Sequence, residues 1–400
     1  MHDNYLYVAR SRQIFYRFLV ARNLAKATTF LFYVYFIWEL VAKFHSVFLA
    51  GLVPAFSLLG YLIIVIPEGY LLDRRNRSTV FFIADALLVM AYSLLFIGDS
   101  VLIIMVVDLV SSLLAWIASD SLQGMIKSIL PEEQYGRAVS LNQTGTAISE
   151  ILGILVGGAM IYLGMSYLMI FLLALAFLSA ALSFPIIMER ADTHRKNYGE
   201  VFVLVRKMAF LLALSLILNG LFISLDVYGS GLIRMVLHAP AVYYTLFLLG
   251  FPLGSVLGGL LISTRRISSG LSLIMMTAEV MIVGILLLAI AMDPIVFIEP
   301  LLTLGIGVDV IVINVQLNAF TLKVIPNDLT GRYNSLSVLF SAGASPVMAL
   351  LFSVLSRFIY FPFVLEGAAI IAIFMSPLTY FAMRSMMSAF GIKSEARSTS

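Results

Sequence analysis

The sequence contains no cysteine, and only 12% of its 400 residues are charged. The absence of cysteine excludes disulfides, thiolate nucleophiles and cysteine metal sites. The charged fraction is far below the roughly 25% of an ordinary soluble domain, which argues against a water-soluble fold. Histidine is also scarce, and its four copies fall on predicted tails and loops, so they predict no metal site. These four are His2, His45, His194 and His238.

Enzymatic signatures are missing as well. The chain has no Gly-x-x-x-x-Gly-Lys run for a nucleotide phosphate, no His-Glu-x-x-His and no Gly-x-Ser-x-Gly. We therefore predict that the protein is not an enzyme and uses no cofactor and no metal. We attribute its formal net charge of +3 to the placement of Lys and Arg relative to a membrane, and not to nucleic-acid binding.

Apolar residues, by contrast, are abundant and occur in long runs. They make up 61% of the chain, and its mean hydropathy is +1.03. Because one membrane-spanning helix needs about 20 mostly apolar residues, we predict an all-α polytopic membrane protein with twelve transmembrane helices. The predicted helices cover 15–41, 47–70, 79–98, 100–127, 138–163, 165–188, 207–234, 241–262, 271–291, 294–323, 333–356 and 360–387.

The distribution of basic residues predicts the orientation. If the N-terminus is cytoplasmic, the inside loops and tails hold 20 of the 25 Lys and Arg, whereas the outside receives only Lys43, Arg234 and Arg357. Cytoplasmic loops of membrane proteins carry such an excess of Lys and Arg. We therefore predict a multi-pass protein of the cell membrane with both termini in the cytoplasm.

The longest polar interruption falls near the middle of the chain, at Glu189 to Glu200. It predicts an N-terminal six-helix bundle over 1–188, a cytoplasmic linker over 189–206 and a C-terminal six-helix bundle over 207–400.

A polar repeat supports two pseudo-symmetric halves. The segment from Leu130 to Leu141 recurs from Ile325 to Leu336, and its Pro, Gly-Arg and Ser-Leu residues stay in register at an offset of 195 positions. Both copies lie between the fourth and fifth predicted helix of their half. Parallel six-helix repeats are a known plan of secondary transporters.

A charged hairpin interrupts the apolar runs between the second and third helices. Gly69, Asp73, Arg74 and Arg77 resemble the Gly and Asp-Arg loop between helices 2 and 3 of the major facilitator superfamily, with Asn76 where that family usually has Gly. The resemblance implies the major facilitator fold and a gating role for the hairpin. A loop that only fixes topology is the alternative.

Among branches of the superfamily, the drug and siderophore efflux group looks most similar. Its antiporters carry small residues and a Gly-Pro pair in helix 5, where this chain has Ser149, Gly153, Gly157 and Gly158, with Ile154 in place of Pro. Small residues spaced by four make a close-packing helix face in lipid, so ordinary helix packing is an equal explanation.

Charged residues inside the predicted helices of the first half are candidates for the site, because each costs about 2.5–3.5 kcal/mol at a helix centre on insertion scales. Arg22 and Lys26 lie one turn apart on helix 1, at depths that match Asp120 and Glu150 respectively. We predict Arg22 with Asp120 and Lys26 with Glu150 as pairs or near-pairs. A purely structural neutralisation of charge is the alternative.

Helix 4 departs from the family pattern. The superfamily often carries an Arg deep in this helix, but the corresponding residue here is Asp108. The roles of that Arg cannot be transferred, and we count Asp108 as a candidate cavity residue.

The second half offers acids without a cation at similar depth. Asp309 shares a helix face with Gln316, and Asp226 shares one with Asn219. These four are predicted to contribute to a proton or substrate site, and hydrogen-bonded neutral acids are the alternative.

From these observations we predict a monomeric secondary transporter that works by alternating access and exports a small amphipathic or drug-like compound in exchange for protons. Its expected partners are a small-molecule substrate, the lipid bilayer and protons, and not nucleic acid. Proton-coupled uptake of a small metabolite is one alternative. A non-transporting sensor or partner protein with a transporter fold is the other.

Overall fold

The computed structural model describes residues 2–131, 134–185, 199–264, 273–292, 295–324 and 345–389. This part of the chain contains twelve α-helices and no β-strand. In chain order they are α1 His2–Phe44, α2 Val47–Arg74, α3 Arg77–Ser93, α4 Val101–Ile129, α5 Tyr135–Leu163, α6 Met165–Leu182, α7 Gly199–Gly231, α8 Ala241–Thr264, α9 Leu273–Met292, α10 Glu299–Val324, α11 Ser345–Leu355 and α12 Phe361–Ala389.

Ten of these helices are long and apolar enough to cross a membrane. The shorter apolar segments Met276–Met292 and Ser345–Leu355 belong to α9 and α11. The prediction of an all-α chain with twelve helices is confirmed. The second copy of the polar repeat, from Ile325 to Leu336, lies outside the described residues.

The charged hairpin is shorter than predicted, because the helices on both sides extend into it. Helix α2 continues through Arg74 rather than ending at residue 70, and α3 begins at Arg77 rather than at 79. The turn is fixed by Asn76, whose side chain accepts from the backbone N–H of Ser78 at 3.1 Å and caps α3. Asn is a strong N-cap residue, which gives Asn76 a structural reason to replace the glycine usual in the family.

Other boundaries also differ from the prediction; α1, for example, begins at His2 rather than at residue 15. Helix α6 ends at Leu182, and Pro185 follows three residues later, where it disfavours helical backbone in the residue before it. Helix α7 begins at Gly199, inside the segment 189–206 that the sequence predicted as a linker.

The chain forms two compact units. The first comprises Met1–Lys43 and Leu52–His194, and the second comprises Phe44–Gly51 and Arg195–Ser400. In the first unit an exposed ion pair joins the end of α1 to the loop before α4, with Lys43 Nζ 2.7 Å from Asp99 Oδ2. This hydrogen bond and the positive charge of Lys43 hold the pKa of Asp99 below its ordinary range.

Within the first unit, α5 packs closely on α1 through glycine. A Cβ atom at Gly153 would lie 2.6 Å from Cβ of Phe30 and 2.8 Å from the carbonyl oxygen of Ala27. A Cβ atom at Gly157 would lie 3.0 Å from Cβ of Val34. The small residues therefore let the two backbones approach. Ser149 and Gly158 are buried on the same helix, and Ser149 donates to the carbonyl of Gly145 at 2.8 Å.

Within the second unit, α8 and α10 make an even closer contact. Gly250, Gly254 and Gly258 recur every four residues along α8, and a methyl group at any of them would overlap the backbone of α10. Gly307 on α10 meets the carbonyl of Phe251 in the same way. No layer of side chains separates these two helices along this contact.

The connections that follow the first helix of each half share an unusual backbone. His45 follows α1 and His238 precedes α8, and both have φ of 49°. These are the described non-glycine residues with positive φ. A π-helical turn, Leu232–Val236, leads from α7 toward His238.

Candidate functional site

In the first unit, polar residues on four helices form a cluster. On each helix, successive members of the cluster are three, four or seven residues apart, so they lie on one face of that helix. These residues are Arg22 and Lys26 on α1, Tyr61 and Glu68 on α2, Trp116, Ser119 and Asp120 on α4, and Asn142, Thr146 and Glu150 on α5. We call this group the first-unit charge cluster.

Arg22 is buried in this cluster, with 6% of its surface exposed, and neutral groups hold its guanidinium. It donates to Thr146 Oγ1 at 2.6 Å and to Ser119 Oγ at 3.2 Å. Its Nε atom has no hydrogen-bond partner among the described residues. Because hydroxyl groups carry no charge, the positive charge of Arg22 is not cancelled by its direct contacts.

Lys26 lies between aromatic rings. Its Nζ atom is 5.0 Å from the centre of the Trp116 ring and 5.3 Å from that of Phe30. Trp116 in turn contacts Tyr61, with ring centres 4.5 Å apart. Cations are attracted to the faces of aromatic rings, most strongly when they are removed from water. The cluster therefore presents a cation and apolar ring surface side by side.

The acids of the cluster interact with these cations at a distance. Asp120 interacts electrostatically with Arg22, and Glu150 with Lys26. In the described part of the chain, neither predicted pair has a nitrogen–oxygen distance of 4.0 Å or less. Lys43 and Asp99 do form an ion pair there. The structure thus brings the predicted partners near each other without direct contact.

Glu68 is a member of the cluster that was not predicted from the sequence. It is 2% exposed, and neither of its carboxylate oxygens has a hydrogen-bond partner among the described residues. It interacts electrostatically with Asp120. The signal in the sequence was its spacing of seven residues from Tyr61, which places both on one face of α2.

The hairpin residues are described only in part. Gly69, Asp73 and Arg74 lie on the last turns of α2, and the side chains of Asp73 and Arg74 lie outside the described residues. Arg77 begins α3, and its Nη1 donates to the carbonyl oxygen of Gly124 on α4. Arg77 therefore ties α3 to α4 within the first unit.

In the second unit the predicted residues fall into two places. Gln316 on α10 is buried and donates to both carboxylate oxygens of Glu279 on α9, at 3.0 and 3.2 Å. Asp309 interacts electrostatically with Glu279, so this acid, absent from our predicted set, links Asp309 and Gln316. The pairing could not be found from the spacing on α10, because Glu279 belongs to another helix.

The remaining two predicted residues lie on α7. Asn219 is exposed and donates to the carbonyl of Ser215 at 2.8 Å. Asp226 is half-buried and interacts electrostatically with Tyr244 of α8. The structure does not bring Asn219 and Asp226 into a hydrogen bond with each other.

Asp108 is separate from the charge cluster. It lies eight residues before Trp116 on α4, which is about 12 Å along a helix, and neither Arg22 nor Lys26 interacts with it electrostatically. The structure thus places Asp108 deep in the bundle and not among the charged residues with which it was grouped.

A twelve-helix polytopic chain with buried charges facing one another on its spanning helices has the architecture of a membrane transporter. The family model of the Major Facilitator Superfamily matches residues 18–349. The chain therefore belongs to the major facilitator superfamily, and the family predicted from the hairpin and the repeat is confirmed.

Solved structures show the same fold. The nucleoside transporter NupG superposes with a TM-score of 0.70 at 13% identity, covering 95% of this chain and 100% of that chain. A D-xylose-proton symporter gives 0.69 at 14% identity, covering 93% and 97%. A bacterial homolog of the human lysosomal transporter Spinster gives 0.69 at 12% identity, covering 95% of each. A comparison with curated proteins found no match.

Proposed function

We propose that this protein is a proton-coupled secondary transporter that exports a small amphipathic compound by alternating access. The observation that supports this best is the contact of Lys26 with Trp116 beside the carboxylates of Asp120 and Glu150. An amphipathic ligand needs both a polar partner and apolar ring surface, and ligand sites combine a few placed polar groups with aromatic walls.

Proton coupling follows from the charge balance of the cluster. Two cations, Arg22 and Lys26, accompany three carboxylates, those of Glu68, Asp120 and Glu150. Like charges at close range disfavour simultaneous ionisation, so a proton is the natural counter-charge for the third carboxylate. Loading a cationic or polar substrate would displace that proton, which couples the two movements in opposite directions.

The orientation is part of the proposal. We place both termini in the cytoplasm of a cell-membrane protein because the described loops at the α2–α3 side carry Arg75 and Arg77, whereas the α3–α4 loop on the opposite side carries Asp99. The drug and siderophore efflux branch remains our placement within the superfamily, and we propose a monomer.

The test uses proteoliposomes loaded with the pH dye pyranine, to which a candidate solute and an imposed pH gradient are applied. We expect the amphipathic dye rhodamine 6G to enter acid-loaded vesicles faster than empty liposomes allow, with a matching rise of lumenal pH. Flux must fall in Glu150→Gln vesicles prepared with equal protein. Entry that is independent of both the gradient and the protein would contradict proton-coupled export.

Uptake of a small metabolite is the second candidate, since two structural neighbours are a nucleoside transporter and a D-xylose-proton symporter. In the same vesicles, uridine and D-xylose should then enter when the lumen is alkaline, and lumenal pH should fall. If neither the dye nor these solutes moves protons in either gradient, the non-transporting alternative is favoured.

A further inference from the structure

One cavity of the second unit is lined mainly by basic and imidazole side chains. Its volume is about 400 Å³, and the residues that line it are His45, Arg234, Met235 and His238. His45 follows α1 and belongs to the second unit together with the first residues of α2, whereas the other three follow α7. No acid is among the described residues that line this cavity. The transport site proposed in the first unit makes no use of it.

The two histidines of the cavity are held in a backbone conformation that histidine rarely adopts. Both have φ of 49°, and they are the described non-glycine residues with positive φ. Glycine takes this conformation at helix C-termini without steric cost. Strained residues of this kind concentrate at functional sites. The two are 193 positions apart in the sequence and yet line one cavity, which indicates a role for their imidazoles there.

A π-helical turn carries the other two lining residues, Arg234 and Met235. The turn covers Leu232–Val236, and it is closed by the N–H of Ala239, which donates to the carbonyl of Ile233 at 2.9 Å. Single π-helical turns at the ends of or inside α-helices are frequent at functional sites. The backbone that presents Arg234 is therefore as unusual as the backbone that presents the histidines.

Close packing holds the two sides of the cavity together. A Cβ atom at Gly231 would lie 2.5 Å from Cγ2 of Val47, and one at Gly51 would lie 2.7 Å from Cγ1 of Val227. The first turns of α2, which begin two residues after His45, thus pack directly on the end of α7. Side chains carried by two packed segments are preorganised for a ligand.

The lining supplies hydrogen-bond donors and positive charge. A guanidinium has five N–H donors in a planar fork, and an imidazole has at least one N–H donor in either protonation state. The fork of Arg matches two oxygens of a phosphate or a carboxylate. One fork already satisfies a planar carboxylate, whereas a phosphate group keeps further oxygen for the two imidazoles.

The size and position of the cavity favour a phosphate group attached to an organic body. Small-molecule sites measure about 300–1,000 Å³, and this cavity falls within that range, with Met235 adding apolar surface. It lies where α1 and α7 have ended and α2 and α8 begin, which is the headgroup level for membrane-spanning helices. A lipid headgroup and a water-soluble organic phosphate share this chemistry.

We propose that this cavity binds the phosphate group of an organic phosphate. Arg234 forms paired hydrogen bonds to two phosphate oxygens, and His45 and His238 donate to the remaining oxygen lone pairs. The site is separate from the first-unit charge cluster, and it does not depend on proton-coupled export.

The first test is isothermal titration calorimetry of the purified full-length protein in detergent, with phenyl phosphate as the probe. We expect saturable binding that is at least ten-fold tighter than that of benzoate at equal ionic strength. Arg234→Gln should weaken phenyl phosphate binding by ten-fold or more. Arg357→Gln is the matched control and should bind as the wild type does. Arg357 belongs to the same unit, stacks 3.8 Å from the ring centre of Phe48, and is not among the lining residues.

Glycine variants of the two histidines separate binding from folding. His45→Gly and His238→Gly remove the imidazole but suit the left-handed backbone, so the unfolding temperature should not fall. Each should weaken phenyl phosphate binding by about ten-fold, as expected for one lost hydrogen bond to a charged group. If Arg234→Gln and both glycine variants keep the wild-type affinity, the proposal is wrong.

A lipid arm identifies the source of the phosphate. Native mass spectrometry counts the dioctanoyl phosphatidylglycerol and dioctanoyl phosphatidylcholine retained by the wild type and by Arg234→Gln. Selective retention of phosphatidylglycerol by the wild type supports a lipid headgroup, and phenyl phosphate binding without it supports a soluble organic phosphate. Binding of neither probe, or benzoate binding equal to that of phenyl phosphate, would overturn the proposal. Because no flux is measured, this failure is distinguishable from a failure of proton-coupled transport.

Discussion

The ammonium nitrogen of Lys26 lies 5.0 Å from the ring centre of Trp116, and this contact joins α1 to α4 inside the first unit. Cation–π contacts contribute about 0.5–2 kcal/mol, depending on how far the cation is removed from water. A substrate that binds beside this ring must compete with Lys26 or extend the stack.

Replacing Trp116 should therefore weaken substrate binding. We expect Trp116→Ala to raise the half-saturating concentration of rhodamine 6G in the vesicle assay by about 2- to 30-fold. This range corresponds to the loss of one cation–π contact between the cationic dye and the ring. Trp116→Phe keeps a ring and should lie nearer the wild type. Phe177→Ala is the control, because Phe177 is 67% exposed on α6. Equal loss in both alanine variants would point to a general packing defect.

Glu150→Gln should separate coupling from binding. The glutamine side chain has the same size as glutamate but lacks the charge that interacts with Lys26. We expect flux driven by a pH gradient to fall by about ten-fold or more, whereas exchange of labelled for unlabelled solute at equal pH persists. Glu39→Gln on α1 is the control, since Glu39 lies thirteen residues, or about 20 Å, from Lys26. Loss of both activities would refute a specific coupling role.

Arg77 should contribute to stability through its bond to Gly124. The guanidinium donates to a backbone carbonyl of α4, and such charge-assisted hydrogen bonds contribute about 1.5–3 kcal/mol. We expect Arg77→Ala to lower the unfolding temperature by several degrees in detergent, while Arg75→Ala at the exposed neighbouring position changes it little. An unchanged unfolding temperature in Arg77→Ala would show that the bond is dispensable for stability.

Gly254 and Gly259 offer a matched pair on α8. A methyl group at Gly254 would overlap the carbonyl of Leu304, whereas nothing lies within 4 Å of one at Gly259. We expect Gly254→Ala to destabilise the protein by about 1–3 kcal/mol, as overpacking does. Gly259→Ala should be neutral or slightly stabilising, because alanine is the better helix former. The readout is thermal unfolding, and a stable Gly254→Ala protein would contradict the backbone contact.

Most of the fold could be predicted from the sequence, because long apolar runs separated by charges leave few other arrangements in a membrane. The misplaced ends are those decided by local chemistry. Helix α2 passes its expected end because Leu71 and Leu72 do not break a helix, and it stops where Asn76 provides a cap for α3. Nothing in apolar periodicity signals such a cap in advance.

The site was less predictable. The cost of burying charge singled out Arg22, Lys26, Asp120 and Glu150, and depth alone placed each cation near its acid. Depth could not show that Thr146 and Ser119 would be the direct partners of Arg22. Such contacts depend on the rotation of each helix about its axis, which is set by packing such as that of Gly153 on α1.

The backbone conformation that His45 and His238 share also bears on the relation between the two halves of the sequence. Their positions differ by 193 residues, close to the 195 that separates the two copies of the polar repeat. A left-handed histidine carries a cost that glycine or asparagine would reduce, yet the same residue type occupies this conformation twice. The correspondence between the two halves of the sequence therefore extends to the backbone of the connections that follow their first helices.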